Sequence, residues 1–307
     1  MDAEASVAAA AAPWSRWFDA IAIVVCTLAW GTTWYAITLQ LGVVDPIVSL
    51  VYRFGLAAAL FFAWCALRRE PMALTRGQHS AAIGLGLFNF AIDYSLVYWA
   101  EERVASAVVA VVFASLAFAN LATFRIVFGQ RAPALAWGAA GLGVVGVGFL
   151  SWEELAASDM NGRALVGIGL TIVGVIAASI GNVFARRGEL AGANVAAFTG
   201  WAMLYGACAL AAFALATGSA WSFEPTWRYT LSLLHLSLFG SVVAFFLYYG
   251  LARRRGYATA SYISALTPPV AMLVSSVLEG KSWGMAALGG VALVLIGQVV
   301  LLQAKRV

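Results

Sequence analysis

The sequence predicts an all-α membrane protein of ten transmembrane helices, arranged as two inverted five-helix repeats with both termini cytoplasmic. Three observations predict it. Of 307 residues, 63% are hydrophobic and only 10% charged, against about 25% charged in a soluble domain. Nearly uncharged runs recur at about 20 residues, the length a helix needs to cross a hydrocarbon core of roughly 30 Å. A pattern near the end of the first half returns about 150 residues later, half the chain. A β-barrel is excluded, because the runs are continuous and do not alternate over about ten residues.

Taken in order, the runs are 19–39, 47–67, 80–99, 104–127, 133–151, 165–186, 195–217, 229–251, 257–278 and 283–303. Short loops separate them, so no soluble domain is left over. The opening "MDAEASVAAAAAPWSRW" carries Asp2 and Glu4 and lacks the basic start of a cleavable signal. Residues 1–18 are therefore expected to form a disordered cytoplasmic tail, 19–151 the first repeat and 165–303 the second. Cys26, Cys65 and Cys208 fall inside runs in an odd number, which suits small buried hydrophobes better than disulfides or metal ligands.

The sequence pI of about 9.1 could suggest a nucleic-acid partner, but the basic residues read as a topology signal. With the N-terminus inside, the outer loops hold only Arg103, Arg163, Arg228 and Lys281, Arg53 lies within the second run, and the other thirteen of the 18 Lys and Arg fall inside. The lipid bilayer is the expected environment, no nucleic acid is expected, and a monomer satisfies the pattern.

The repeat is carried by "WAEERVASAVVA" followed by "WGAAGLGVVGVGFL", answered by "LARRRGYATASYI" followed by "GMAALGGVALVLIGQVVLL". Five helices per unit is an odd number, so the second copy lies upside down relative to the first. Inverted repeats place a site at their interface near the midplane and allow alternating access. The same offset lays Gly31 on Gly181 and Thr32 on Asn182.

The first run places "LAWGTTWYAI" (28–37) at its centre, where lipid would favour leucine. Aromatic belts belong at the membrane interfaces, so a cavity is expected beside these residues. At about 100° per residue, Trp30, Thr33 and Trp34 share one face, and Thr32 and Tyr35 a neighbouring one. Trp30, Thr32 and Tyr35 are the candidates for substrate contact, with Trp34 behind them. Trp and Tyr supply stacking area, a cation-binding π face and a polar tip; packing between helices is the competing role.

The third run reads "LFNFAIDYSLVYWA", with Asn89 and Asp93 one turn apart and Tyr94 and Tyr98 on an adjacent stripe. Asp93 is the carboxylate deep in a span. An ionised group there costs on the order of 3 kcal/mol or more, so it must face the interior, water or a counter-charge. Arg53 is expected at equal depth, about six positions or roughly 9 Å below the same boundary. Either the two form a structural ion pair, or Asp93 serves the substrate or a proton. Asn120 and Asn182 are further polar candidates, and Tyr248 and Tyr262 could line the same space. Pro268 and Pro269 should kink their helix and free carbonyls near Ser264. The glycines of the fifth and tenth runs suit close helix packing; no strand precedes them and no phosphate-loop Lys-Ser/Thr follows, so no nucleotide or other cofactor is expected.

In its motifs the chain resembles the drug/metabolite transporter superfamily, in its ten-helix, EamA-like branch, and within it the bacterial aromatic amino acid exporters of the YddG type. The residues that carry the resemblance are "LAWGTTWYAI", "DPIVSLVYRFGLAAAL" (45–60) and "YATASYISALTPPVAMLVSSVLEGKSWGMAALGGVALVLIG" (257–297). It implies export of small metabolites across the bacterial inner membrane, through a cavity walled mainly by helices 1 to 4 and 6 to 9, with helices 5 and 10 as peripheral supports. The Arg-Phe pair at Arg53 is widespread in such relatives, which favours a structural role for it. The chain departs from the pattern at "SLAFANLATF", where a proline is usual, at Gln130, where a glutamate is common, and at Glu279, which is displaced by "GK".

Transport is thus the expected function, with amino acids, aromatic or other neutral, as the first substrate class and aromatic cationic drugs as the second. An intramembrane enzyme would need paired deep carboxylates, a metal cluster or a nucleophile with its base. Asp93 stands alone, and the two histidines, His79 and His235, lie apart; no catalytic residue and no metal site are expected.

Overall fold

A computed structural model describes residues 13–42, 44–157, 162–255 and 257–303. Ten helical stretches and no strand occur among the described residues: α1 (Pro13–Thr38), α2 (Pro46–Arg68), α3 (Arg76–Glu101), α4 (Ser106–Phe128), α5 (Ala134–Ala157), α6 (Gly162–Leu190), α7 (Val195–Thr217), α8 (Trp227–Arg255), α9 (Tyr257–Leu278) and α10 (Met285–Gln303). Residues 1–12 of the expected tail lie outside the described residues. By length and composition, α1 from Trp17, α2, α3, α4, α6, α7 and α8 are able to cross a membrane. The other three hold shorter apolar stretches, Ala134–Leu150, Leu266–Leu278 and Met285–Leu301. In α9 the polar Thr259, Ser261, Ser264 and Thr267 precede Pro268 and shorten the apolar part.

Local chemistry fixes the helix ends. The Asp45 carboxylate accepts from the Ile47 and Val48 amides at 2.8 and 3.4 Å, with Pro46 at the first helical position of α2. Thr75 and Gln78 form a reciprocal capping box at α3. In the second half, Asn194 caps α7 by accepting from the Ala197 amide, and Thr226 caps α8 by accepting from the Tyr229 amide. Left-handed residues end both α2 (Arg69, φ 54°) and α7 (Gly218, φ 70°). Each half thus starts its second and third helices, and stops its second, with matching devices.

Two helices are not α-helical throughout. Wide π-helical turns interrupt α3 over Gly86–Asp93 and α8 over Leu238–Val243, again at matching places. Such turns put an extra residue into the helix and rotate its C-terminal part against its N-terminal part. A third irregularity, at Ala114–Ser115, divides α4 into Ser106–Phe113 and Leu116–Phe128. The Ala114 carbonyl there accepts from Gln298 Nε2 of α10 at 2.8 Å.

Two pairs of helices pack most extensively on one another: α5 on α10, and α2 on α7. Gly146 and Gly290 make the first crossing possible, since a Cβ on either would sit against the other's carbonyl oxygen. The remaining six helices, α1, α3, α4, α6, α8 and α9, enclose the interior. The Gly31 and Gly181 match carries no equivalent contact: Gly31 lies against Val270 of α9, and Gly181 against Asn89 of α3.

Candidate substrate cavity

A cavity of about 70 Å³ opens between those six helices; it has room for several waters. From α1 it takes Trp30, Thr33, Trp34 and Ile37, and from α3 Asn89, Asp93, Tyr94 and Val97. Asn182 of α6, Ala110, Phe113, Ala114 and Leu116 of α4, Phe245 and Tyr248 of α8, and Ser264 and Thr267 of α9 complete the wall. Neither α5 nor α10 contributes, as supports would not; α2 and α7, expected among the walls, contribute none either and stand behind the lining helices.

The α1 face that lines the cavity is the one with Trp30, Thr33 and Trp34. Trp30 is fixed from two sides: its Nε1 donates to the Gly240 carbonyl at 3.1 Å, and its ring meets Phe245 and Tyr248, each at 5.3 Å between centroids. Gly240 lies in the π turn of α8, where a Cβ would collide with Thr33. Thr32 and Tyr35, expected in the site, are not among the lining residues. The Thr32 hydroxyl is taken up by the Leu28 and Ala29 carbonyls and by His235 Nε2 at 3.0 Å, and Tyr35 falls on the same neighbouring face.

The expected Arg53–Asp93 ion pair is not formed. The Arg53 side chain is fully buried, its Nε donates to Ser241 Oγ at 3.1 Å, and its Nη1 lies 3.5 Å from Tyr98 Oη. The guanidinium sits over the Tyr94 ring, 4.6 Å from its centroid, an arrangement that favours a cation. Asp93, 2% exposed, turns instead toward α6, where the missing side chain of Gly174 leaves space beside its Oδ1. The physical reason is the π turn that ends at Asp93: it changes the angular relation between α3 and its neighbours from the one a regular helix implies. Tyr98 leaves the site for the same reason and donates to Gln40 Oε1 at 2.8 Å.

Three polar atoms of the wall residues are buried and bound to no protein atom: Trp34 Nε1, Asn89 Nδ2 and Asp93 Oδ1. Two can only donate and the third, when ionised, only accepts. The two lining threonine hydroxyls are satisfied within their own helices, Thr33 by the Trp30 carbonyl and Thr267 by the Ile263 carbonyl. Asn182 Nδ2 donates to Asn120 Oδ1 at 3.2 Å, which Ser179 also engages at 3.0 Å. That network holds Asn120 behind the wall. α9 continues through Pro268 and Pro269 as one helix; Pro268 has no amide hydrogen, so the carbonyl of the lining Ser264 loses its usual partner. The side chain of Tyr262 lies outside the described residues.

Sequence reasoning missed Thr33, Ile37, Val97, Phe113, Phe245 and Thr267. Thr33 and Ile37 lie at helical spacing from Trp30 and Trp34, so the periodic signal for them was present. Phe113 and Phe245 carried none, because apolar rings in apolar helices look alike whether they face lipid, core or cavity. Among the described residues no group of three His, Cys, Asp or Glu could hold a metal ion.

The sequence model of the EamA-like transporter family matches residues 17–152 and again 165–303. The chain belongs to the EamA-like transporter family. Among its relatives is the protein named uncharacterized inner membrane transporter YedA of Escherichia coli (strain K12), 27% identical over 261 residues, which are 83% of this chain and 81% of that one. Protein PagO of Salmonella typhimurium (strain LT2) is 22% identical over 267 residues, covering 85% and 84% of the two chains. A solved crystal structure shares the fold with a TM-score of 0.70 at 18% identity, over 94% of this chain and 98% of that one. With these relatives and its run of apolar helices, this EamA-like chain is a membrane transporter, a multi-pass protein of the bacterial inner membrane.

Proposed function

We propose that this transporter exports amino acids, aromatic or other neutral ones, by alternating access through the cavity between α1, α3, α4, α6, α8 and α9. The observation that carries the reading is the set of unpaired atoms in an aromatic wall. Asp93 offers a carboxylate to an ammonium group, while Trp34 Nε1 and Asn89 Nδ2 offer donors to a substrate carboxylate. Trp30, Tyr94, Phe245 and Tyr248 supply ring faces for an apolar or aromatic side chain. With Arg53 engaged by Ser241 and the Tyr94 ring, Asp93 is left to the substrate. The full architecture in this reading is ten spans in two inverted five-helix repeats with cytoplasmic termini, supported by the matching caps and π turns of the two halves.

The unpaired Asp93 in an aromatic wall also favours a second reading, export of aromatic cations. The two differ in what they ask of the donors: a cation has no use for Trp34 Nε1 or Asn89 Nδ2. Purified protein in proteoliposomes, offered a panel of labelled amino acids and cationic dyes, tests both. Amino-acid flux that falls in both Asn89→Leu and Asp93→Asn supports the first reading. Dye flux that falls only in Asp93→Asn supports the second, and flux of neither class overturns both.

A further inference from the structure

A second carboxylate is buried away from the cavity, at the end of α3. Glu101 is 7% exposed, and neither of its oxygens has a hydrogen-bond partner. The basic residues nearby are committed elsewhere. Arg103 pairs with Glu102 at 3.2 Å and donates to the Trp99 carbonyl, and Arg163 of α6 donates to the Glu102 carbonyl at 2.5 Å. From α2, Arg53 is held by Ser241 and Tyr98; from the turn after α1 comes uncharged Gln40, itself 1% exposed with an unpartnered Nε2. Beyond α9, Lys281 lies over the Trp283 ring. Two charges act on Glu101 through space, the Glu279 carboxylate first and the Arg53 cation, of opposite effect, second.

Glu279 makes the contact that closes this end of the bundle. Its carboxylate accepts from Ser106 Oγ, at the first turn of α4, at 2.9 Å, and from Ser275 Oγ of α9. One acidic side chain thereby joins α4 to α9. An ionised Glu101 would be a second negative charge, dry and unpaired, beside this junction. Burial without a hydrogen-bond partner disfavours the charged form of a carboxylate.

We propose that Glu101 is a proton-binding group of the transport cycle: it carries a proton while the Ser106–Glu279 junction is closed, and releases that proton to water when the junction opens. The step is a simple exchange. The Glu101 O–H bond breaks, the proton passes to a water molecule admitted at the open end, and the carboxylate left behind repels Glu279 and disfavours closure. Closing again requires a proton from the medium on that side. The inference rests on membership of a transporter family and not on the amino-acid reading, so it survives whichever substrate is found.

The test uses infrared spectroscopy of the purified full chain across a pH series, with no substrate. The wild type should show a protonated-carboxyl band near neutral pH that is lost in Glu101→Gln and persists in Asp93→Asn. A band unchanged by Glu101→Gln would mean that no proton resides there and would overturn the proposal. Glu279→Gln gives a second measure should Glu101→Gln fold poorly: with its neighbour neutral, the Glu101 band should disappear at lower pH than in the wild type, and an unmoved midpoint counts against the proposal. The link to opening is read separately, in a background where the exposed Cys208 is replaced by serine and a cysteine stands at Ala105. Thiol labelling should accelerate as the pH rises through the band's midpoint and lose that dependence in Glu101→Gln. Labelling with the same pH dependence in both proteins would separate Glu101 from the junction and refute the coupling.

Discussion

Trp34 keeps an indole N–H that no protein atom accepts, an arrangement that costs stability unless a ligand or water completes it. Trp34→Phe should therefore leave the melting temperature unchanged or slightly raised. If a substrate carboxylate is the missing acceptor, the same change should weaken substrate binding by about 1.5 to 3 kcal/mol, roughly ten- to hundredfold. Flux kinetics and thermal denaturation on one preparation check both halves. Arg53 gives the complementary case. Tyr98→Phe removes a hydroxyl that serves Gln40 and lies beside the guanidinium, and should cost about 1 to 3 kcal/mol. Asp93→Asn touches no partner of Arg53 and should cost less; a melting-temperature ranking in the opposite order would reinstate the ion pair. At this scale the α1 face was legible, because a 100° period needs only the order of residues. The choice within it was not: Trp34 and Tyr35 are adjacent in the chain, and which of them meets the cavity depends on where α8 and α9 lie.

The apolar runs 47–67 and 195–217 became Pro46–Arg68 and Val195–Thr217, so hydropathy located these helices to within a residue. It placed others short. The third run, read from residue 80, begins at Arg76, and the eighth, read from 229, begins at Trp227. In both, a capping threonine starts the helix in polar sequence that a hydropathy window passes over. The π turns left no sign at all, since a wide turn has no composition of its own and arises from packing. Element-level support can be tested at the α5–α10 crossing. Gly290→Val puts a branched side chain against the Gly146 carbonyl and should destabilise by about 1 to 3 kcal/mol or more. Because neither helix lines the cavity, flux per folded molecule should stay near wild type. Normal stability with lost flux would mean that this pair does more than brace.

Across the whole molecule, basic side chains gather at one end. Arg254 and Arg255 grip Asp19 there, at 3.1 and 2.7 Å, and Arg253 donates to the Ala193 carbonyl. The positive-inside rule assigns that end to the cytoplasm. Cysteines at Arg76 and Arg254 should then react only with reagents that enter the cell, while ones at Glu102 and Glu224 should react from outside. The reverse pattern would invert the molecule in the bilayer.

The wide turn in α8 has a genetic reading. It holds one more residue than a regular helix would use over the same rise, so deleting one residue between Leu238 and Val243 would leave a continuous α-helix with intact backbone hydrogen bonding. Because the wide turn absorbs its extra residue locally, the helix on either side would keep its angular position. Phe245 and Tyr248, beyond the turn, would stay on the cavity wall, while the Gly240 carbonyl that holds Trp30 and the Ser241 hydroxyl on Arg53, both inside it, would move. A frame-preserving deletion here would yield a more regular helix that keeps its aromatic wall and loses the two contacts made by the turn, whereas most substitutions in the same turn would leave those contacts standing.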